Sequence, residues 1–236
     1  MRKIVGIFRF IYVVIEVLWF CIKGHIAGFF TNKELFYRKR IGREGFRILK
    51  NLNATLTIEG LENLETNKTY ILMGNHRSYT DILVLFLAMA VAKREVVFMS
   101  KKEIFKVPFL GGAMKALGII GVDRQESSEA FKSLIKAIET VKEGKNLIMF
   151  PEGTRSITGE LLPLKRGGFV LATRAKMDIA PFIITGTEKF MPKSGFGIYP
   201  AHVNIKFLPI IFSDGLRDKQ LLEQVEVSLK TALNEV

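Results

Sequence analysis

Residues 70–81, which read YILMGNHRSYTD, decide the fold of this chain. The apolar run Tyr70–Gly74 has the length of a buried strand. Apolar residues resume at Ile82 and continue to Ala92, which predicts a helix packed on that strand. His76 and Asp81 would therefore lie in or beside a loop at the carboxyl end of the strand.

A histidine and a carboxylate separated by four residues across such a junction can meet. Asp81 would then accept a hydrogen bond from one ring nitrogen of His76 and leave the other nitrogen as a base. The same residues also fit a helix capping box that begins at Ser78, with Asp81 serving backbone amides and His76 an ordinary loop residue. Residues 70–81 alone leave both interpretations open.

The chain beyond Ala54 alternates short apolar runs with segments of helical periodicity. This alternation predicts an α/β fold, with a layered, mixed and largely parallel sheet flanked by helices. Strands are expected at about 55–59, 69–74, 95–99, 119–122, 146–150, 180–185 and 202–208, and helices at about 80–92, 101–106, 109–117, 126–143, 166–176 and 215–234. The stretch 186–201, rich in Gly, Pro and Lys, is expected to form a surface loop.

Composition excludes several classes of protein. The single cysteine among 236 residues, Cys21, rules out a disulfide framework and suits a reducing compartment. Three scattered histidines predict no metal site. Residues 1–50 hold 11 Lys or Arg against 3 Asp or Glu and so carry most of the net charge of +12. The chain has no zinc-finger or RNA-recognition signature, so this charge points to an anionic membrane surface and not to nucleic acid.

The N-terminal segment combines this charge with apolar residues. Ile4–Ile22 is just long enough to span a bilayer. However, Arg9 and Glu16 would each cost about 2.5–3.5 kcal/mol at a helix centre, against about 0.3–0.6 kcal/mol returned per apolar residue. The sum is near zero, so a full span and an interfacial anchor both remain possible.

A second helix is expected after this run. Residues 24–31 predict a turn, and Asn32 can cap a basic amphipathic helix that extends to about Leu52. Such a helix lies in the headgroup region of a membrane, or alternatively packs its apolar side on the domain. We therefore expect two parts, a two-helix membrane anchor at 1–53 and an α/β domain at 54–236.

Polar residues recur where the predicted strands end. His76 and Asp81 follow the predicted strand at 69–74, and Lys101, Arg124 and Glu152–Arg155 follow three later strands. Each alone also fits an ordinary turn or a solvated side chain. Because ligands of open α/β sheets bind outside the carboxyl ends of the strands, the joint placement of these polar residues predicts one site.

The sequence contains no nucleophile elbow, P-loop or dinucleotide fingerprint. A base at this site would therefore act on a substrate hydroxyl, and the arginines predict a phosphate on a substrate.

Four segments, in this order, resemble the conserved blocks of the glycerolipid acyltransferases, specifically the 1-acyl-sn-glycerol-3-phosphate acyltransferases. They are NHRSYTD (75–81), GIIGVDR (118–124), FPEGTRS (150–156) and APFIITG (180–186). The resemblance runs from about residue 54 to 210, and the first and third segments together are its most specific part. The second segment departs from the family at Gly121-Val122 but leaves Arg124 in register.

The resemblance implies a role for each matching residue. His76 would be the general base and Asp81 its orienting carboxylate, while Lys101, Arg124 and the Glu152-Gly153-Thr154-Arg155 segment would bind substrate. The implied reaction transfers an acyl group from acyl-CoA or acyl-carrier protein to lysophosphatidic acid, with no cofactor. It would take place on a membrane lipid surface, at the cytoplasmic face of a bacterial inner membrane. Acylation of glycerol 3-phosphate or another lysophospholipid, and non-catalytic binding of acyl thioesters at a membrane, are the alternatives.

Overall fold

The computed structural model describes residues 2–122 and 127–235. Within these residues the chain forms a layered α/β structure preceded by two helices. The helices are α1 (Arg2–Ala27), α2 (Lys33–Asn51), α3 (Asp81–Val91), α4 (Leu110–Ala116), α5 (Ser127–Lys142), α6 (Gly167–Ala175), α7 (Thr187–Phe190) and α8 (Asp218–Asn234). The strands are β1 (Thr55–Glu59), β2 (Ile71–Gly74), β3 (Val96–Lys101), β4 (Ile120–Val122), β5 (Asn146–Met149), β6 (Ile179–Thr185) and β7 (His202–Phe207). Short 3₁₀ turns lie at Leu61–Asn63 and Lys102–Lys106.

The described strands form one sheet in the order β1-β7-β6-β2-β5-β3-β4. All neighbouring pairs are parallel except β6 and β7, so the predicted mixed, largely parallel sheet is confirmed. Because β2 pairs in parallel with both β5 and β6, the carboxyl ends of these central strands lie at the same edge. The loop that carries His76 leaves β2 at that edge.

The central strands form the buried core. Ile71, Leu72 and Met73 of β2 are fully buried, as a strand covered on both faces requires. Helix α3 is apolar nearly all round because it packs among other elements, including α2. Gly45 of α2 faces Leu87 of α3 so closely that a side chain at Gly45 would overlap it.

The predicted turn at residues 24–31 is wrong in its first half, because α1 continues to Ala27. Gly24 lies inside the helix, where a Cβ atom would overlap the ring of the fully buried Tyr37. The glycine therefore serves the close contact of α1 with α2. The predicted second helix is confirmed, and the side chain of Asn32 caps it by accepting a hydrogen bond from the backbone N–H of Leu35 at 3.1 Å.

The two N-terminal helices pack against the α/β layers. Ile48 and Leu49 of α2 lie in the same buried core as β2 and α3, as the alternative interpretation of α2 expected. Arg47 of α2 pairs with Glu16 in the middle of α1 at 2.6 Å. The separate anchoring role of residues 1–53 stays a prediction.

The predicted surface loop at 186–201 is partly wrong. It contains α7, and Phe190, Met191 and Ile198 are buried against the core. These apolar residues are too few and too widely spaced to show strand or helix periodicity in the sequence. The segment is therefore tied to the domain at both ends of an exposed tip.

Candidate active site

Asn75 fixes the loop that leaves β2. Its side chain is 2% exposed, and both of its amide atoms bond to the backbone of Ile184 in β6, at 2.9 Å to the carbonyl and 2.8 Å from the N–H. This two-point bond holds the first loop residue beside the neighbouring strand. His76 follows directly and so emerges at the carboxyl edge of the sheet.

The predicted contact between His76 and Asp81 is present. Nδ1 of His76 lies 2.7 Å from Oδ2 of the fully buried Asp81. This contact fixes the tautomer in which Nδ1 carries the proton and Nε2 has a free lone pair. Among the described residues none bonds to Nε2, so this nitrogen is available to a substrate in the cleft that His76 lines.

Asp81 also serves the backbone. Its Oδ2 accepts from the N–H groups of Arg77 at 2.7 Å and Ser78 at 2.9 Å. The reciprocal half of a capping box is not formed, because the Ser78 hydroxyl accepts from Thr80 and donates to the carbonyl of Met191. The carboxylate thus orients the histidine and shapes the loop at the same time.

A second buried carboxylate lies behind the histidine. The backbone N–H of His76 donates to Oε1 of Glu152 at 2.6 Å, and the N–H of Leu162 donates to Oε2 at 2.9 Å. Burial raises the pKa of Glu152 above its ordinary value, although these two hydrogen bonds act to lower it. Glu152 is 2% exposed, and both of its carboxylate oxygens accept from backbone N–H groups. A substrate contact for Glu152 stays a prediction.

The segment after β5 completes the support of His76. The carbonyl of His76 accepts from the N–H of Ser156 at 2.7 Å. The Phe150 ring stacks on the imidazole with centroids 4.0 Å apart and planes 16° from parallel. Backbone and ring are therefore both held by residues of the third sequence segment, and the side chain of His76 keeps 15% of its surface exposed.

Most of the predicted binding residues line one cleft of about 600 Å³ beside His76. Lys101 lies at the end of β3, and Gly153, Thr154 and Arg155 follow β5. The guanidinium of Arg155 lies 3.6 Å from the centroid of the exposed Tyr79 ring. Arg124 lies outside the described residues, so its place in the cleft stays a prediction.

Two cleft residues were missed by sequence reasoning. The guanidinium of Arg155 stacks on the ring of Tyr79, and the end of the Lys165 side chain lies against Gly153, whose φ of +70° is a backbone conformation that residues with side chains rarely adopt. Lys165 follows no strand, so nothing in its sequence position marked it. Its N–H is held by the carbonyl of Pro151 at 2.8 Å, a contact that only the folded loop creates.

The same cleft is also lined by apolar side chains. They come from α3, β3, β5 and the turn after β3, namely Ile82, Phe98, Met99, Ile104, Ile148 and Met149. A cleft with a base, several cations and an apolar wall can hold an amphiphilic anion.

This fold and site define an acyltransferase-type protein. The Acyltransferase family model matches residues 55–185, more than half of the 236 residues, and the chain belongs to this family.

Named relatives support the family assignment. The chain is 37% identical over 142 residues to a chloroplastic 1-acyl-sn-glycerol-3-phosphate acyltransferase of Brassica napus, covering 60% of this chain and 40% of the relative. It is 35% identical over 206 residues to a 1-acyl-sn-glycerol-3-phosphate acyltransferase of Cocos nucifera, covering 87% of this chain and 61% of the relative. The chain thus spans less than two thirds of the length of these relatives.

One solved structure is similar over nearly its whole length. The crystal structure of the 1-acyl-sn-glycerophosphate acyltransferase of Thermotoga maritima superposes with a TM-score of 0.86 and 25% sequence identity. The match covers 100% of this chain and 97% of that chain. The similarity includes both N-terminal helices as well as the α/β layers.

Proposed function

We propose that this protein transfers an acyl group from an acyl thioester to the free hydroxyl of 1-acylglycerol 3-phosphate, which makes phosphatidic acid. The observation that carries the proposal is the 2.7 Å contact of His76 Nδ1 with buried Asp81, beside a cleft lined by cations and apolar side chains. The names of the relatives and of the solved structure favour the same acceptor.

The chemistry follows from the tautomer of His76. Nε2 accepts the proton of the acceptor hydroxyl while the hydroxyl oxygen attacks the carbonyl carbon of the thioester. The C–S bond then breaks, and the imidazolium returns the proton to the departing thiolate, so the products are an ester and a free thiol. Asp81 stabilises the imidazolium without becoming protonated, as the carboxylate does in serine-protease triads.

The cations bind the acceptor phosphate in this proposal. Lys101, Arg155 and Lys165 line the cleft, and Arg124 is expected to join them. A guanidinium can bind a phosphate bidentately, whereas lysine acts as a point charge. The apolar wall would hold acyl chain, and either acyl-CoA or acyl-carrier protein would suit as an acidic donor for a basic protein.

Helix α1 is long and apolar enough to cross a membrane, and 11% of its apolar window is buried in the protein. We propose that it lies in the plane of the bilayer surface instead of crossing it. The helix contacts the rest of the protein along most of its length, from Gly6 beneath the Tyr199 ring, through Glu16 with Arg47, to His25 against Phe109. A helix held to the domain in this way would pull the domain into the bilayer if it crossed. The cytoplasmic face of a bacterial inner membrane, where a soluble thioester donor is available, is the proposed location.

A matrix of donors and acceptors tests the function. Release of free thiol from acyl-CoA or acyl-carrier protein should depend on added lysophosphatidic acid, and phosphatidic acid should appear in equal amount. Thiol release that responds instead to glycerol 3-phosphate would change the assigned acceptor. Thioester binding without any acceptor-dependent thiol release would show a binding protein and end the proposal.

A further inference from the structure

The segment Met191–Tyr199, here called the Phe196 loop, carries an exposed aromatic ring on a fixed base. The Phe196 side chain is 71% exposed, while Met191 and Ile198 on either side of it are 8% and 2% exposed. The N–H of Ile198 donates to the carbonyl of Gly6 in α1 at 3.0 Å, and the N–H of Tyr199 donates to that of Phe190 at 2.9 Å. The protein therefore holds this ring outward.

The ring extends the apolar surface of α1. The centroids of Phe196 and Phe10 are 5.5 Å apart. Ile7 and Val14 lie on the same side of α1 as Phe10, about one turn before and after it, and they are 49% and 40% exposed. A single exposed phenylalanine means little, but a continuous exposed apolar surface marks an interaction site.

The polar edge of this surface indicates what covers it. The guanidinium of Arg2 lies 5.5 Å from the centroid of the Tyr199 ring, at the base of the loop. A tyrosine and an arginine beside an apolar surface are side chains of the kind that lie at the level of lipid headgroups. Helix α1 itself has the length and hydropathy of a membrane-embedded helix. The charge and the continuity with α1 both favour a bilayer with anionic lipids.

The loop also contacts the first and third of the four sequence segments, 75–81 and 150–156. The carbonyl of Met191 accepts from the hydroxyl of Ser78, beside His76, at 2.8 Å. The ammonium group of Lys193 donates to the carbonyl of Arg155 at 2.6 Å. A lipid contact at Phe196 would therefore lie close to the loops that carry the base and the phosphate-binding arginine.

We propose that the Phe196 loop is a second membrane-contacting element, which enters the lipid surface next to α1 and brings the cleft to membrane-bound acceptor. This role in acceptor loading rests on the proposed function, whereas insertion into lipid does not.

The first test replaces Phe196 by Ser in the full chain, with Phe212→Ser as the matched control. Phe212 is also exposed, at 58%. It adjoins Ile211, which pairs with Ile179 at the amino-terminal end of β6, whereas His76 lies at the carboxyl ends of the central strands. On vesicles of phosphatidylcholine and phosphatidylglycerol, Phe196→Ser should weaken binding about tenfold, as loss of one buried phenylalanine predicts. Phe212→Ser should bind as the wild type does. Equal binding of all three proteins would overturn the proposal.

Activity with two acceptors separates lipid contact from support of the catalytic loops. Phe196→Ser should lower kcat/KM about tenfold for long-chain lysophosphatidic acid in vesicles and little for a short-chain analogue dissolved in water. An equal loss on both acceptors would mean that Phe196 supports the fold or the site, and the lipid role would be withdrawn.

Fluorescence measures insertion of the Phe196 loop into lipid without any need for enzymatic activity. Phe196→Trp in a Trp19→Phe background places the one indole of the chain at the loop tip. Vesicles should shift its emission to the blue, and brominated lipids should quench it. An unshifted, unquenched indole on vesicle-bound protein would refute insertion. Insertion without acyl transfer to lysophosphatidic acid would support the loop assignment and contradict the proposed function.

Discussion

The backbone N–H of His76 lies 2.6 Å from Oε1 of Glu152, and the second oxygen of this carboxylate holds the N–H of Leu162. One buried side chain thereby joins the loop of the proposed base to the loop that lines the cleft. Glu152 needs no direct contact with substrate to influence the reaction, because it sets where the imidazole stands.

Glu152→Gln should therefore impair both stability and turnover. The glutamine amide turns one acceptor into a donor that faces a backbone N–H, which costs about 1–3 kcal/mol of unfolding free energy. We expect kcat to fall because His76 shifts away from its working position. Thermal unfolding and steady-state kinetics measure both effects, and the exposed neighbour Glu160→Gln is the matched control. Unchanged stability in the Glu152 variant would contradict the buried contacts.

The titration of Glu152 gives the unfolding free energy a pH dependence of definite sign. Burial raises the pKa of Glu152, so the folded protein holds this proton more tightly than the unfolded chain does. Protonated Glu152 therefore contributes to the unfolding free energy. This contribution is fully present below the ordinary glutamate pKa and is lost as the pH rises through the raised pKa of Glu152 in the folded protein. The unfolding free energy of the wild type should thus fall relative to Glu152→Gln across that window. A constant difference between the two proteins would show that Glu152 titrates normally.

His76→Ala should abolish acyl transfer while the fold is retained, since a positioned base contributes about 10²–10⁴-fold. More than a tenth of wild-type activity in a folded sample would remove the base assignment.

Asp81→Asn should lose both activity and stability, because Oδ2 of Asp81 accepts from two backbone N–H groups as well as from His76. Calorimetry and kinetics on the same sample check this, and a loss of stability without loss of turnover would show that Asp81 is a structural cap alone.

Arg155 should discriminate between charged and uncharged acceptors. Arg155→Ala and Arg124→Lys should each lower kcat/KM for lysophosphatidic acid by about 10–150-fold, the loss expected for one charged hydrogen bond. An uncharged monoacylglycerol should be a poor acceptor with the wild type and little worse with either variant. Equal proportional losses on both acceptors would assign these arginines to the fold or to the donor.

Tyr79 gives a finer control of the same arginine. Its ring lies 3.6 Å from the guanidinium of Arg155, and such contacts contribute about 0.5–2 kcal/mol. Tyr79→Phe keeps the ring and should leave KM for lysophosphatidic acid unchanged. Tyr79→Leu removes the ring and should raise this KM several-fold, which kinetics on the phosphate-bearing acceptor will measure. Equal behaviour of the two variants would show that the ring does not position Arg155.

The sequence predicted those features that depend on local pattern. The apolar run Ile71–Met73 and the polar residues after it predicted a central strand with a substrate site at its carboxyl end. The structural roles of Glu152 and Lys165 were not predictable, because they arise from contacts between loops that are distant in sequence. Gly24 was misassigned because a glycine in a turn and a glycine under a neighbouring aromatic ring look alike in one sequence.

The in-plane placement of α1 makes a prediction about its two ends. If the helix lies on the membrane surface, both ends face the same aqueous side, whereas a spanning helix places them on opposite sides. Lys3→Cys and Thr31→Cys put thiols at exposed positions near these ends. The native Cys21 is 3% exposed and should react slowly with labels, and a Cys21→Ala background removes its signal.

We expect a membrane-impermeant maleimide added outside sealed vesicles to label both positions to the same extent when protein is bound from outside. The contacts of Glu16 with Arg47 and of Asn51 with Tyr12 hold the middle of α1 to α2, so neither end can move across the bilayer alone. Detergent should not increase labelling at either position. Labelling at one end that appears only after detergent would show a spanning helix, and the in-plane placement of α1 would then have to be withdrawn.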